Sequence, residues 1–118
     1  MRSTGSHYED LALAHGQREG LLLLARNFNC RYGELDLVMR DGDIVVFVEV
    51  RYRRSQGFGG GLDSVGASKR ERLAKAASVF LQANPGLTRN PCRFDVVAIS
   101  GAADAPSIHW QRNAFDAP

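Results

Sequence analysis

The pattern of apolar and polar residues along the chain predicts two helices and four or five strands. Apolar residues follow helical spacing over residues 7–20 and again from Leu73 to Leu81. Period-two alternation over Glu34–Arg40 and a β-branched and aromatic run over Ile44–Val50 predict two strands. Weaker strand signals lie at Leu21–Phe28, Phe94–Ile99 and Ser107–Gln111. The predicted order is therefore helix, three strands, helix, and one or two strands.

The second and third strands are predicted to form a hairpin, because the tight-turn sequence Asp41-Gly42-Asp43 lies between them. The third strand is so apolar that we expect it to be buried on both faces of a sheet. Strict alternation in the second strand places three apolar side chains on one face: Leu35, Leu37 and Met39. This order of helices and strands indicates a mixed α/β fold of the α+β type.

Composition narrows the class of protein further. A chain of 118 residues, 44% hydrophobic and 24% charged, is typical of one globular domain, so we treat residues 1–118 as a single domain. Its apolar runs are far shorter than the roughly 20 residues of a membrane-spanning helix. The first 20 residues also carry charges where a signal peptide would be apolar. We therefore expect a cytoplasmic protein without a membrane partner.

The net charge of +2 conceals an uneven distribution. Residues 1–50 contain five Lys and Arg against eight Asp and Glu, a balance of −3, whereas residues 51–75 contain seven against two, a balance of +5. Arg predominates, and its planar guanidinium donates two hydrogen bonds to one phosphate. Such a stretch is typical either of a nucleic-acid-binding surface or of a solvated charged surface. The candidate phosphate-binding residues are Arg51, Arg53, Arg54, Lys69, Arg70, Arg72 and Lys75.

Glu49 is the residue that a purely structural interpretation explains least well. A carboxylate in an otherwise apolar strand costs several kcal/mol if it is buried without a partner, so either Arg51 or a bound cation should neutralise it. The predicted hairpin brings Asp36 opposite residues 48–49, which places two carboxylates close together. Two carboxylates with few other ligands suit Mg²⁺ or Mn²⁺ together with phosphate oxygens. The alternative is a surface turn with incidental acids.

Four motifs stand out along the chain. They are Gly33-Glu34-Leu35-Asp36-Leu37-Val38, Phe47-Val48-Glu49-Val50-Arg51-Tyr52-Arg53, Lys69 with Arg72-Leu73, and Cys92-Arg93-Phe94-Asp95-Val96-Val97. Together they closely resemble the YraN-type family of small bacterial proteins. The similarity covers nearly the whole chain, from Glu9 in the first helix to Ala114-Phe115 near the C-terminus.

The YraN-type family in turn resembles the restriction-endonuclease-like superfamily, including its Holliday-junction resolvases. This resemblance implies a mixed sheet flanked by helices and a metal site whose signature is an Asp followed by Glu-x-Lys on the next strand. It assigns metal-ligand roles to Asp36 and Glu49, adds the backbone carbonyl of Val50 to the metal shell, and gives Glu9 a supporting acid role.

One position departs from that signature, because Arg51 stands where the signature has lysine. A lysine can lose its proton when desolvated, whereas arginine stays protonated and cannot act as a general base. Arg51 can still stabilise the charge that builds up in a phosphoryl transition state. Alternatively, Lys69 supplies the ammonium group from the second helix.

Other charged and aromatic residues are expected to have structural roles. Glu34 is interpreted as a solvated edge residue rather than a supporting acid, and Asp95 as the partner of an arginine. Trp110 and Phe115 are interpreted as core or dimer contacts.

Three functions are compatible with these patterns. The first is a Mg²⁺-dependent endonuclease-like protein acting on DNA, with branched or otherwise structured DNA as one substrate class. The second is a nucleic-acid-binding module that keeps the fold without turnover, and the third is a protein-interaction subunit. A chain this small cannot enclose a duplex by itself, so a homodimer or another partner is expected if it acts on DNA.

Overall fold

A computed structural model describes residues 4–53, 65–101 and 105–116 of the chain. Its elements follow the predicted order and form one five-stranded mixed sheet with strand order β1-β2-β3-β4-β5. The mixed α+β class predicted from the sequence is confirmed. The elements are α1 (Thr4–Arg18), β1 (Leu22–Cys30), β2 (Gly33–Asp41), β3 (Ile44–Arg53), α2 (Ala67–Ala83), β4 (Cys92–Ser100) and β5 (Ser107–Phe115), with a short 3₁₀ turn at Pro85–Leu87.

The connections explain the order of the strands. Short turns join β1 to β2 and β2 to β3, and both pairs are antiparallel. Gly42 has a φ of 58°, which a two-residue hairpin turn requires and which glycine adopts without a steric cost. The connection from β3 to β4 passes through α2, and this pair is parallel, as expected for a helical crossover. The predicted β2–β3 hairpin is confirmed.

Two apolar cores lie on opposite faces of the sheet. On one face, α2 packs against aromatic side chains, with Phe80 meeting Phe47 and Phe28 edge to face. On the other face, α1 packs with Ala12 against Leu37. Alternate residues of β3 enter opposite cores, and residues 45–48 are at most 2% exposed. The prediction that this strand is buried on both faces is confirmed.

The strict alternation predicted for β2 is wrong at one point, and this point matters for the site. Leu37 and Met39 pack on the α1 side, but Leu35 packs on the α2 side together with Val38. The interruption therefore falls at Asp36. The facing strand is irregular at the same level, because Asn27 of β1 adopts a left-handed φ of 54°.

Among the described residues, no helix is both long and apolar enough to span a membrane.

Candidate metal centre

Asp36 lies where β2 separates from β3. Pairing between the strands ends at Leu37 and Val48, and one step further the same register would place Asp36 opposite Glu49. At this step the Asp36 Oδ2 atom accepts a hydrogen bond of 2.8 Å from the backbone N–H of Val50. A side-chain carboxylate thus replaces a backbone carbonyl as the acceptor. The expected proximity of Asp36 to the end of β3 is confirmed.

Val50 presents its carbonyl to the same side as its N–H group. In a strand, the N–H and C=O of one residue point towards the same neighbouring strand. Because the Val50 N–H points at Asp36, its carbonyl oxygen faces the gap that opens beyond the last β2–β3 pair. The carbonyl expected in a metal shell is therefore on the side where the two acids meet.

Glu49 lies on the face of β3 that α2 covers, and its side chain is 8% exposed. The Arg51 Nε and Lys69 Nζ atoms each lie 3.6 Å from Oε1 of Glu49. Among the side chains that the structure describes, no donor reaches the buried Oε2 atom. The predicted neutralisation by Arg51 is thus present, but it is shared with Lys69 and leaves one oxygen of the carboxylate unsatisfied.

The electrostatic state of the two acids follows from this geometry. Burial, the neighbouring Glu49 charge and more distant acids raise the pKa of Asp36 to about 7, although the Val50 N–H bond opposes the rise. Burial also raises the pKa of Glu49, and the positive charges of Lys69 and Arg51 oppose that rise. Without a bound cation, both carboxyl groups therefore bind a proton more readily than exposed carboxyl groups do.

Two further acids complete the site, and we refer to Glu9, Glu34, Asp36 and Glu49 together as the acid site. The carboxylate oxygens of Glu9, Glu34 and Asp36 lie within 4.8 Å of one another. Burial and the nearby Glu34 raise the pKa of Glu9, whereas Arg26 lowers it. Glu9, expected to have a supporting role, is therefore in place. Glu34 is exposed as expected of an edge residue, yet it belongs to the same cluster, so its interpretation as merely solvated is incomplete.

Asn27 connects the outer two acids and was not identified from the sequence. With its amide nitrogen turned towards them, it donates hydrogen bonds of 2.8 Å to Glu9 Oε1 and 2.7 Å to Glu34 Oε1. Its left-handed backbone conformation directs the side chain out of the regular strand pattern. The sequence carries one signal for this, since Asn adopts that conformation more readily than other non-glycine residues and here interrupts an apolar strand.

Arg26, the residue before Asn27, also contacts the acids of α1. It lies 3.6 Å from Glu9 and 2.6 Å from Asp10. The charge pairing therefore anchors β1 to α1 beside the acid site.

The candidate phosphate-binding residues are placed in three groups. Arg51 and Lys69 contact Glu49, and Arg72 lines a groove that begins at Lys69. Arg70 turns away, since it donates to the Val65 carbonyl at 2.8 Å and lies over the Phe115 ring at 5.2 Å.

The remaining members of that set are Lys75, Arg53 and Arg54. Lys75 lies within α2, where it pairs with Glu71 at 3.3 Å and lies 5.5 Å from the centre of the Tyr32 ring. Arg53 is the last residue of β3, and Arg54 falls outside the described residues. Of the described basic side chains, Arg70 thus does not join the group beside Glu49.

Asp95 has the structural role expected of it. It is fully buried and accepts hydrogen bonds from Arg93 at 3.0 Å and from the Trp110 indole at 2.8 Å. The backbone N–H of Asn113 donates a third bond of 2.9 Å. Of the two roles expected for Trp110 and Phe115, core or dimer contact, the structure shows the first: Phe115 is buried in the core on the α2 side, and Trp110 is partly buried against the core on the α1 side.

Comparison with known proteins identifies the family. The model of the family described as "Uncharacterised protein family UPF0102" matches residues 8–99. The chain belongs to the UPF0102 family. A UPF0102 protein of Stutzerimonas stutzeri is 56% identical over 115 residues, covering 98% of this chain and 96% of the relative. One from Pseudomonas fluorescens is 54% identical, covering 96% and 93%, and one from Pseudomonas aeruginosa is 52% identical, covering 98% and 94%. The resemblance to the YraN-type family is thereby confirmed, because UPF0102 is that family.

Proposed function

We propose that this UPF0102 protein is a metal-dependent nuclease that acts on DNA, with Asp36 and Glu49 as the metal ligands. One observation carries the proposal: the buried Glu49 Oε2 atom has no donor among the described residues, and the Glu49 carboxylate is close enough to the partly buried Asp36 to raise its pKa. A structural ion pair would satisfy both oxygens of such a carboxylate, because an unpaired buried oxygen costs free energy. A cation supplies the missing partner.

The residues present fit a hard divalent cation. Mg²⁺ and Mn²⁺ prefer oxygen ligands, and the acid site offers only carboxylates together with the Val50 carbonyl. The protein ligands we assign are Asp36, Glu49 and the Val50 carbonyl. Glu9 and Glu34 are placed to orient water molecules around the ion. A cation also removes the repulsion that raises the pKa of Asp36.

The metal ion and the basic side chains beside it would have different roles in catalysis. When bound, Mg²⁺ polarises a phosphodiester and lowers the pKa of a water molecule. Lys69 and Arg51, both held beside Glu49, stabilise the negative charge that develops on the phosphate during attack. Arg51 contributes charge but cannot take up a proton, so Lys69 supplies the ammonium group that the superfamily signature carries at the position of Arg51.

DNA is the proposed substrate because cationic side chains adjoin the acid site from α2 and from the end of β3. Their phosphate contacts release counterions, which makes binding fall steeply with salt. We further propose that a duplex is engaged by a homodimer, since one chain of this size presents little surface.

The test is a cleavage assay on single-stranded, duplex and four-way-junction DNA with Mg²⁺ or Mn²⁺. Wild-type protein should cut at least one substrate, and Asp36→Asn and Glu49→Gln should each reduce the rate by at least about 100-fold, a loss typical for removing a charge-stabilising group. Asp43→Asn is the matched control, because its side chain is 88% exposed at the far end of the hairpin. Cleavage that persists in the Asp36→Asn/Glu49→Gln double variant would contradict the assignment.

The Arg51–Glu49 ion pair favours a second candidate, a DNA-binding module that does not turn over. In that function Arg51 occupies the charge position that a metal would otherwise fill. It predicts salt-dependent DNA binding without cleavage in either metal. Replacing Arg51 with Lys discriminates the two: a nuclease keeps or gains activity, whereas a pure binding module stays inactive.

A further inference from the structure

A groove between the β1–β2 turn and α2 opens directly onto the acid site. It is lined by Tyr32, Gly33, Glu34, Lys69, Arg72 and Leu73, and we call it the Tyr32 groove. Two of its residues, Glu34 and Lys69, belong to or contact the acid site. Glu34 is within 4.8 Å of Glu9 and Asp36, and Lys69 contacts Glu49. A ligand in this groove therefore adjoins the metal ligands.

We propose that the Tyr32 groove binds one strand of DNA next to the acid site, with Arg72 contacting its phosphate and Tyr32 stacking on an unpaired base. This inference rests on the proposed function and assigns its substrate class: DNA with a single-stranded segment at the point of attack. Neither Tyr32 nor Arg31 was among the residues predicted to bind nucleic acid.

The charge of the groove favours a polyanion. Arg31, Lys69, Arg72 and Lys75 surround Tyr32, and Arg72 is exposed without an ion-pair partner in the described part of the chain. Among the described lining residues one is acidic, Glu34, and Asn27 connects its carboxylate to Glu9. Glu71 pairs with Lys75 at 3.3 Å, so the net positive charge of the groove comes from Arg31 and Arg72. Positive charge on one side and metal ligands on the other match a phosphodiester lying between them.

The aromatic ring explains why a base would accompany the phosphate. The Arg31 guanidinium lies 4.8 Å from the ring centre and donates to the Tyr32 hydroxyl at 2.7 Å, and the Lys75 ammonium lies 5.5 Å from the ring centre. An exposed cation–π contact changes an equilibrium by about two- to fivefold. A base stacked on an aromatic side chain changes it by about 5- to 150-fold, so a base displaces these cations towards the phosphates.

The dimensions favour one strand over a duplex. The lining residues of α2 run from Lys69 to Ala76, a helical rise of about 10 Å. The opposite wall is the two-residue turn between β1 and β2, followed by Gly33, the first residue of β2, which has no side chain. The groove is shallow, with about 250 Å³ of free space, so it contacts a short stretch of one strand, whose bases are free to stack, and does not enclose a duplex. The bases of a duplex are already stacked on one another.

The test measures binding without chemistry. A fluorescently labelled single-stranded DNA oligonucleotide of mixed sequence is titrated with the full chain in EDTA, and anisotropy is recorded over a range of salt concentrations. Tyr32→Ala should weaken binding about tenfold, while Tyr32→Phe should retain it. Arg72→Ala should lower the slope of log K against log salt by about 0.7, the value for one phosphate on a single strand.

Arg89→Ala is the matched control, because it removes the same charge from an exposed residue outside the groove. The proposal is overturned if wild-type protein does not bind the oligonucleotide at low salt, if Arg72→Ala and Arg89→Ala have equal effects, or if the complementary duplex binds more tightly than the single strand. Arg72 lies on the surface of α2, so its variant tests the groove even if Tyr32→Ala fails to fold.

The two proposals fail in different ways. If the wild-type protein binds DNA in EDTA but does not cut it with Mg²⁺ or Mn²⁺, the nuclease proposal is wrong and the groove remains a DNA-binding site. If cleavage is lost in Asp36→Asn but unchanged in Tyr32→Ala and Arg72→Ala, the groove proposal is wrong and the nuclease proposal stands.

Discussion

The sheet contains two kinds of acid, and their surroundings differ. Asp95 is buried and surrounded by donors: Arg93 contacts it with two nitrogens, and Trp110 and the Asn113 backbone donate to it as well. Glu49 is also buried and lies 3.6 Å from two cations, but its second oxygen has no donor among the described residues. Asp36 is partly buried, accepts one backbone bond and faces other acids.

The difference separates a structural acid from a functional one. Folding favours satisfied buried carboxylates, because each missing donor costs free energy. The sequence patterns of the two acids are similar, since both lie in apolar strands close to an arginine. Only their surroundings distinguish them, and Glu49, with an oxygen that no described residue bonds, is the acid that can accept a ligand.

The largest effect is expected at the satisfied acid. Asp95→Ala should reduce the free energy of unfolding by about 3 to 5 kcal/mol, because it removes one of the two carboxylates that pair with Arg93 and leaves the Trp110 indole and the Asn113 N–H without their acceptor. Urea denaturation at pH 7 measures this loss. Asp43→Ala, at an exposed acid, should change the stability by less than about 0.5 kcal/mol. Equal effects at the two positions would contradict the structural role of Asp95.

At Asp36, removing the charge is expected to increase the free energy of unfolding rather than reduce it. Because the pKa of Asp36 is raised to about 7 from 3.8, the folded protein holds more protons than the unfolded chain between these values. The stability of the metal-free protein should therefore fall as pH rises from about 4 to about 7. Asp36→Asn removes this penalty and should stabilise the metal-free protein at pH 8 by about 1 to 4 kcal/mol, since one pKa unit corresponds to about 1.4 kcal/mol.

Urea denaturation in EDTA at several pH values measures this difference between Asp36→Asn and wild type. The control is Asp43→Asn, at an exposed side chain, whose stability should stay within about 0.5 kcal/mol of wild type at each pH measured. A stability difference for Asp36→Asn that is also independent of pH would mean that Asp36 does not titrate as described.

A smaller effect is expected from the metal. A divalent cation at 100 times its dissociation constant should raise the free energy of unfolding by about 2.7 kcal/mol. Thermal unfolding with MnCl₂ or MgCl₂ against EDTA detects this gain. Glu49→Gln should abolish the gain, whereas Asp43→Asn should keep it. An equal gain in Glu49→Gln would place the cation elsewhere.

Much of this architecture could be predicted from the sequence. The hydrophobic pattern was sufficient for the element order and for the β2–β3 hairpin, because a turn with Gly42 fixes which residues face one another. That register in turn brought Asp36 and Glu49 together. The role of Asp95 also followed, since a buried acid near an arginine is usually paired with it.

The parts that were missed depend on irregular backbone. The change of face between Leu35 and Leu37, and the left-handed Asn27 opposite it, break the period of two on which the strand interpretation rested. Glu34 and Asn27 could not be placed beside Glu9 without that irregularity. The Tyr32 groove depends on α2 lying against the β1–β2 turn, a long-range contact that no local pattern contains.

The most direct test of the metal assignment is a crystal of the wild-type protein soaked in MnCl₂, with anomalous diffraction recorded at the manganese edge. We expect an anomalous peak between Asp36 and Glu49, at about 2.0 to 2.3 Å from an oxygen of each. A Glu49 carboxylate still paired with Arg51 and Lys69, and no peak within bonding distance of Asp36, would contradict it.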